Sequence, residues 1–378
     1  MAVLVFIIFL ALLILAHEFG HFLAAKKSGV RVEEFGIGYP PRLFGFYQEE
    51  GKKKFVLGQK KVKSDSTIYS FNLLPFGGFV KIFGLDSQER KKEKGSFFDV
   101  SFSRRAIILL AGVLANFLIA WLFLALAYNL GKPIIASQEV SPVYLKDVKP
   151  RITQVFPRSP AAEAGLKMGD IILAIKLPEK KSWLKIEKSQ DLIAFLKESK
   201  AKKVQLKIKR RKEILEKSVL VRENPPENQG PMGIALADVG LEKLPFLLSF
   251  WQAAKDIFYF TLLIGKTINQ LVKILFSQGK IIEGVVGPVG IVIFGAQFAK
   301  ASFAYLLSFI GLLSLNLAIL NLLPFPALDG GRLLFLFIEK IRRKPIPLKV
   351  ENVINSLGFL LLIILMILIT FRDIKIFF

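Results

Sequence analysis

His17 and His21 are the only histidines of this 378-residue chain, and they stand four apart around a glutamate in the run His17-Glu18-Phe19-Gly20-His21. On a helix, residues i and i+4 share one face, so both imidazoles can reach a single metal ion while Glu18 addresses the water beside it. That pattern suits metal-assisted hydrolysis with the glutamate as proton carrier. The setting adds weight, because ionisable side chains at membrane depth cost roughly 2.5–3.5 kcal/mol each and are kept where they have a task. Here they lie in an apolar run, Ala2 to Ala25, whose one charge is Glu18. Cysteine is absent, so disulfides and thiolate nucleophiles are excluded and a metal must be held by nitrogen and oxygen. A catalytic zinc site takes three protein ligands and leaves one position open. His17, His21 and Asp329 meet that count, the last within Asn321-Leu322-Leu323-Pro324-Phe325-Pro326-Ala327-Leu328-Asp329-Gly330-Gly331-Arg332. Pro324 and Pro326 break helical hydrogen bonding, so the chain before Asp329 must be irregular. At membrane depth such backbone is tolerated only where it is buried in protein or lines a wet cavity.

The elements that must position these residues are membrane spans. Hydrophobic residues make up 53% of the chain and are gathered into long runs, the mark of an integral membrane protein. The first run is about 36 Å long as a helix, enough for a hydrocarbon core of about 30 Å. It has no basic segment before it and is too long for a signal peptide, so it reads as retained. Four spans are the simplest count, at 1–25, 104–130, 303–331 and 353–371. Two stretches within 244–299 read as amphipathic or re-entrant. Leu244 to Phe276 is interrupted by Lys255, Asp256, Lys266 and Lys273, and Val285 to Ala299 is short, with Pro288 and several glycines.

A net charge of +23 would suit a nucleic-acid binder, but its placement argues against that partner. Lys26, Lys27, Arg31, Arg42, Lys52, Lys53 and Lys54 follow the first span, and Arg104 and Arg105 precede the second. By the positive-inside rule the 26–103 loop is cytoplasmic and the N-terminus outside, with the lipid bilayer as the surface this basicity meets. The histidines then lie in the cytoplasmic half of the first span. The third span returns to the cytoplasmic side, marked by Lys340, Arg342, Arg343 and Lys344 in a loop at 332–352, and delivers Asp329 to the same depth.

Between the second and third spans, at 140–240, the pattern is that of a soluble α/β domain on the outer side. Arg151 to Val155, Ile171 to Ile175 and Val204 to Ile208 are strand-like, and Gln190 to Lys197 is helical. The stretch from Ser159 to Asp170 resembles the short helix and tight turn of a PDZ domain. The cytoplasmic loop has strand-like pieces, Phe55-Val56-Leu57 and Thr67-Ile68-Tyr69-Ser70-Phe71, and the run Leu74-Pro75-Phe76-Gly77-Gly78-Phe79-Val80-Lys81-Ile82-Phe83-Gly84, which suits a membrane-associated β-hairpin. Its edge either pairs with an extended peptide or packs against the membrane. Glu89 to Lys94 is a charge run with a solvated face as its default. Asn116, an amide inside the second span, is either an interhelical hydrogen bond or a donor to a substrate carbonyl.

With these motifs in place, the chain resembles the site-2 protease family of intramembrane zinc metalloproteases, of the bacterial type that regulates sigma-E. The likeness runs over nearly the whole chain. It rests on His17 to His21, Phe35-Gly36-Ile37-Gly38, Pro75 to Gly78, Ala111-Gly112-Val113-Leu114-Ala115-Asn116, the PDZ-like segment, Gly287-Pro288-Val289-Gly290-Ile291 and Asn321 to Gly330. The resemblance implies one Zn2+ per chain on His17, His21 and Asp329, with Glu18 as catalytic acid/base. It further implies a substrate site that includes Asn321, Pro324, Asn116, Gly77, Gly78 and Phe79, and transmembrane segments of anti-sigma-factor or signal-peptide-like proteins as substrates in the bacterial inner membrane. It departs from the best-known members in having room for one PDZ domain, which could filter substrates by size or take up peptide termini. The fold expected is therefore an α-helical polytopic membrane protein with a β-hairpin loop and one inserted extracytoplasmic α/β PDZ domain. A catalytically inactive membrane PDZ scaffold would need neither metal nor Glu18, and a transporter would not require the zinc-protease spacing.

Overall fold

A computed structural model describes residues 2–60, 62, 66–85, 93–136, 144–210, 213–226, 229–278 and 286–377. Most of the Glu89 to Lys94 charge run lies outside the described residues. The first apolar run forms one helix, α1 (Ala2–Lys27), with Lys26 and Lys27 in its last turn, where cations complement the helix dipole. A sheet of three strands follows, β1 (Val32–Glu49), β2 (Lys52–Leu57) and β3 (Ile68–Ile82), in the order β2-β1-β3.

This sheet corrects the hairpin expected around Gly77 to Gly84. The hairpin turn is Glu50-Gly51, both with left-handed φ (52° and 77°), the two-residue connection whose twist matches antiparallel strands, here β1 and β2. Gly77 and Gly78 lie inside β3 instead. Gly77 has φ +84° and a Cβ there would fall 2.5 Å from Ile14; one on Gly78 would fall 2.6 Å from the Gly36 carbonyl oxygen. The paired glycines thus let β3 lie directly on α1 and β1. Residues Glu34 to Ile37 have strand partners on both sides, Ile68 to Phe71 and Lys81 to Gly78.

The second span is α2 (Phe102–Leu130). It approaches α1 closely because residue 20 is glycine, where a Cβ would fall 2.4 Å from the Ala111 carbonyl oxygen. The left-handed Gly131 (φ 99°) ends the helix. From it β4 (Lys132–Ile135) leads into an inserted α/β module with β5 (Leu145–Val155), α3 (Pro160–Glu163), β6 (Ile171–Lys176), β7 (Leu184–Lys185), α4 (Ser189–Glu198), β8 (Lys203–Arg210), β9 (Glu213–Leu220) and β10 (Ile234–Glu242). The sheet runs β4-β10-β5-β6-β8-β9, with β7 beside β6. Its core is aliphatic, built on Ile152, Ile172, Ile175, Leu192, Leu206, Ile208 and Met232. One buried acid, Asp170, accepts two hydrogen bonds from Arg210 at 2.8 and 2.7 Å and holds the guanidinium pKa above its usual value.

After the module the chain is helical, with α5 (Phe246–Gln278), α6 (Pro288–Ala301), α7 (Phe303–Leu322), α8 (Asp329–Arg342) and α9 (Leu348–Phe377). Two of these differ from expectation. The helix expected from Leu244 begins at Phe246 as α5 and is long and apolar enough to cross a membrane up to Leu271, packing Ile257, Phe260, Ile264 and Ile268 against Ala120, Leu315 and Ile319. Its lysines are spaced off that apolar face, so the charges do not interrupt packing. Residues 332–352 are not a loop throughout, because α8 buries Phe335 and Leu336. Among the described residues, five helices are long and apolar enough to cross a membrane: α1, α2, α5 up to Leu271, α7, and α9 up to Ile376.

Candidate metal centre

His17 and His21 lie on one face of α1 and are buried, 9% and 6% exposed. α2 makes room for them at Gly112, where a Cβ would fall 2.3 Å from His21 Nε2 and 2.8 Å from His17 Cε1. The two rings cross edge to face, with centroids 4.8 Å apart. His21 Nδ1 donates to the Ile108 carbonyl oxygen at 2.7 Å, which leaves Nε2 unprotonated and aimed inward. His17 Nδ1 lies 3.2 Å from the Asn116 amide nitrogen, and the Asn116 Oδ1 is buried without a partner. Turning that amide over gives Oδ1 the Nδ1–H of a His17 whose Nε2 carries a metal. Asn116 therefore meets a histidine, and of the two sequence-level alternatives the interhelical hydrogen bond has a contact behind it.

Asp329 arrives on the first residue of α8. The two glycines after it are required by packing: a Cβ on Gly330 would fall 2.2 Å from the Leu323 carbonyl oxygen, and one on Gly331 2.2 Å from that of Phe325. The carboxylate Oδ2 stands 3.0 Å from His17 Nε2 and 3.2 Å from His21 Nε2, and the two Nε2 atoms are 3.2 Å apart. Oδ2 is buried with no hydrogen bond of good geometry. Tetrahedral zinc with bonds of about 2.0–2.1 Å sets its ligand atoms about 3.3 Å apart. Two imidazole nitrogens and one carboxylate oxygen converging at that spacing fit one divalent cation and account for the orphaned oxygen; among the described residues this is the one such group.

Glu18 lies next in sequence to His17 on α1 and accepts a hydrogen bond on Oε2 from the Val80 backbone N–H of β3 at 3.1 Å. The contact went unnoticed in the sequence, since a backbone donor 62 residues away carries no residue-type signal. The same is true of the Ile108 carbonyl. Gly77, Gly78 and Phe79 lie on the stretch of β3 that runs past the motif, with Phe79 stacked over Gly36. Asn321 is half-buried in the last turn of α7 and Pro324 is exposed in the turn that follows, both in the segment leading to Asp329.

Comparison with known proteins agrees with this geometry. The model of peptidase family M50 matches residues 5–365. A protein named as a zinc metalloprotease in Clostridium perfringens is 35% identical over 96% of this chain and 95% of its own, and one so named in Nostoc is 33% identical over 96% and 93%. The regulator of sigma-W protease RasP of Bacillus subtilis is 29% identical over 99% of this chain and 98% of its own. A family match over almost the whole length, on a chain of several apolar helices, makes this multi-pass membrane protein a zinc metalloprotease and a member of peptidase family M50.

Proposed function

We propose that the protein is an intramembrane endopeptidase that hydrolyses peptide bonds within transmembrane segments of other membrane proteins. His17, His21 and Asp329 hold the zinc, and Glu18 moves the proton. The observation that carries this is the meeting of three ligand atoms 3.0–3.2 Å apart, drawn from apolar helix α1 and from the irregular turn after α7. Zinc bound there supplies Lewis-acid polarisation of a carbonyl and lowers the pKa of water towards about 7. With Oε2 held by Val80, Glu18 has Oε1 to take the proton of the attacking water and return it to the leaving amine.

A helical substrate hides its carbonyls in hydrogen bonds, so it must unwind before attack. The Gly78–Ile82 stretch of β3, with its Val80 N–H turned toward Glu18, offers an edge for such an extended strand. Asn321 and Pro324 line its approach from the Asp329 side. The charge pattern supports an N-terminus outside the bacterial inner membrane, an active site toward the cytoplasm and the α/β module outside. That module reads as a single PDZ domain able to take peptide termini or to limit substrate size. The sigma-W regulator among the relatives favours membrane-anchored anti-sigma factors as the substrate class.

The test is zinc content and cleavage of a transmembrane reporter by purified protein. Glu18→Gln is expected to keep zinc and lose cleavage by at least about 100-fold; Asp329→Ala is expected to lose zinc. Undiminished cleavage by Glu18→Gln would sink the mechanism.

A further inference from the structure

The turn before Asp329 is held from outside itself. Ala327 has a left-handed backbone, φ 73°, a conformation that a residue with a Cβ keeps only when its surroundings impose it. The turn's own hydrogen bonds serve its neighbours: Phe325 N–H donates to Leu323 at 2.7 Å, and Leu328 N–H to Phe325 at 3.2 Å. The Ala327 N–H instead donates to Asn355 Oδ1 on α9 at 3.1 Å. One turn further along α9, residue 358 is glycine, and a Cβ there would fall 2.6 Å from Pro326 Cβ and 2.8 Å from the Pro326 oxygen. Positions i and i+3 share a helix face, so α9 lies directly on the turn through Asn355 and Gly358.

Elsewhere that part of the helix is open. Leu357, Phe359, Leu360 and Leu361 are 53–61% exposed. The far end is pinned by Asp373, whose carboxylate accepts from the Gly290 N–H at 2.7 Å and the Gly287 N–H at 3.3 Å, at the start of α6. An amide in an apolar helix is costly to insert and needs a partner. Asn355 spends its acceptor on the residue two before the carboxylate that faces both histidines.

We infer that Asn355, with Gly358, is a positioning residue of the metal centre: α9 fixes the Pro324–Leu328 turn and thereby the reach of Asp329 to the zinc. The inference rests on Asp329 being a ligand. It makes α9 a part of the site through the turn it holds, and it ties an outward swing of α9 at Asn355 to loss of a ligand.

The test is the rate at which zinc is lost to a chelator from the purified full chain, beside kcat, KM and thermal unfolding. Asn355→Ala is expected to release zinc about tenfold faster and to lower kcat with KM within about twofold. Asn355→Asp, which keeps an acceptor oxygen, should recover to within about threefold of the parent. Asp373→Asn loosens the other end of α9 and should leave the release rate unchanged. Parental zinc release by Asn355→Ala, equal acceleration by Asp373→Asn, or no recovery in Asn355→Asp would each overturn the proposal. If Asn355→Ala does not fold, Gly358→Ala presses on Pro326 and carries the same expectation. Asp329→Ala in parallel separates the two layers: zinc retained there removes the ligand assignment, whereas zinc lost there but retained in Asn355→Ala removes only the role of α9.

Discussion

His17 and His21 stand on an unbroken helix, in a recess that α2 leaves at Gly112, while Asp329 stands behind a turn with two prolines and a left-handed alanine. The first half of the centre is rigid because its backbone hydrogen bonds are all internal to helices, and its rings are oriented by the Ile108 carbonyl and the Asn116 amide. The second half borrows its geometry. The turn is shaped by carbonyls that exclude a Cβ at Gly330 and Gly331, and by the hydrogen bond its Ala327 N–H donates to Asn355 on α9. One half is stiff by local structure, the other by contact. Substitutions in the two halves should therefore fail differently.

The largest effect is expected at Gly112. Leucine there would place its side chain where His21 Nε2 and His17 Cε1 now lie, so both imidazoles must leave. Zinc affinity should fall by more than about 100-fold, read as metal content after dialysis against a weak chelator, and cleavage should fall with it. Near-parental zinc in Gly112→Leu would mean that α2 yields, and the helical half would not be the stiff one.

Gly330→Ala strikes the other half. The added methyl would fall 2.2 Å from the Leu323 carbonyl oxygen and 2.3 Å from that of Leu322, and backbone atoms cannot turn aside as a side-chain tip can. The start of α8 must shift, carrying Asp329 away from a histidine pair that stays in place. A two-histidine remnant should still bind metal, with affinity lower on the order of 10–100-fold. Cobalt substituted for zinc would report the change in ligand set by its absorption spectrum. A loss as complete as that of Gly112→Leu would mean the two halves form one unit.

The same division decides what could be seen in the sequence. Long apolar runs make α1, α2, α7 and α9 legible, and i, i+4 spacing makes His17 and His21 legible, because both signals are local. Asp329 was reachable through the proline-broken motif around it; the parity that set its depth assumed four spans, whereas five helices among the described residues are long and apolar enough to cross. The sheet was legible only in part: Phe55 to Leu57 and Thr67 to Phe71 read as strand-like and fall on β2 and the start of β3, but β1 contains Gly36, Gly38, Gly45 and the pair Pro40-Pro41, breakers that hide a strand whose partners lie in β3, up to 50 residues from Val32. α8 was hidden by Lys340 to Lys344, which read as a loop although Phe335 and Leu336 pack inside. Asn355 carried no signal, since its partner is a backbone N–H, and Asn116 could be read as buried without its reading as a neighbour of His17. Local periodicity reveals the stiff half, and contact order conceals the borrowed one.

Ser314 tests whether the halves are joined. It is fully buried on α7, and its Oγ donates to the Asn116 carbonyl oxygen on α2 at 2.8 Å, the polar link between the helix that orients His17 and the helix that leads to the turn. Removing the hydroxyl leaves no orphan, because a carbonyl inside a helix also accepts the N–H four residues on, and losses are large only when a buried partner is left unsatisfied. Interhelical hydrogen bonds of this kind average about 0.6 kcal/mol in membranes. The helices are also locked apolarly, Leu315 and Ile319 packing with Ala120, and Gly311 lying where a Cβ would meet Leu124 at 3.0 Å. Ser314→Ala should therefore lower stability by about that 0.6 kcal/mol and change zinc affinity by less than about threefold, measured by chelator competition. A tenfold loss would require α2 and α7 to move as one polar unit, and the relation between a stiff half and a borrowed half would give way to a single coupled site.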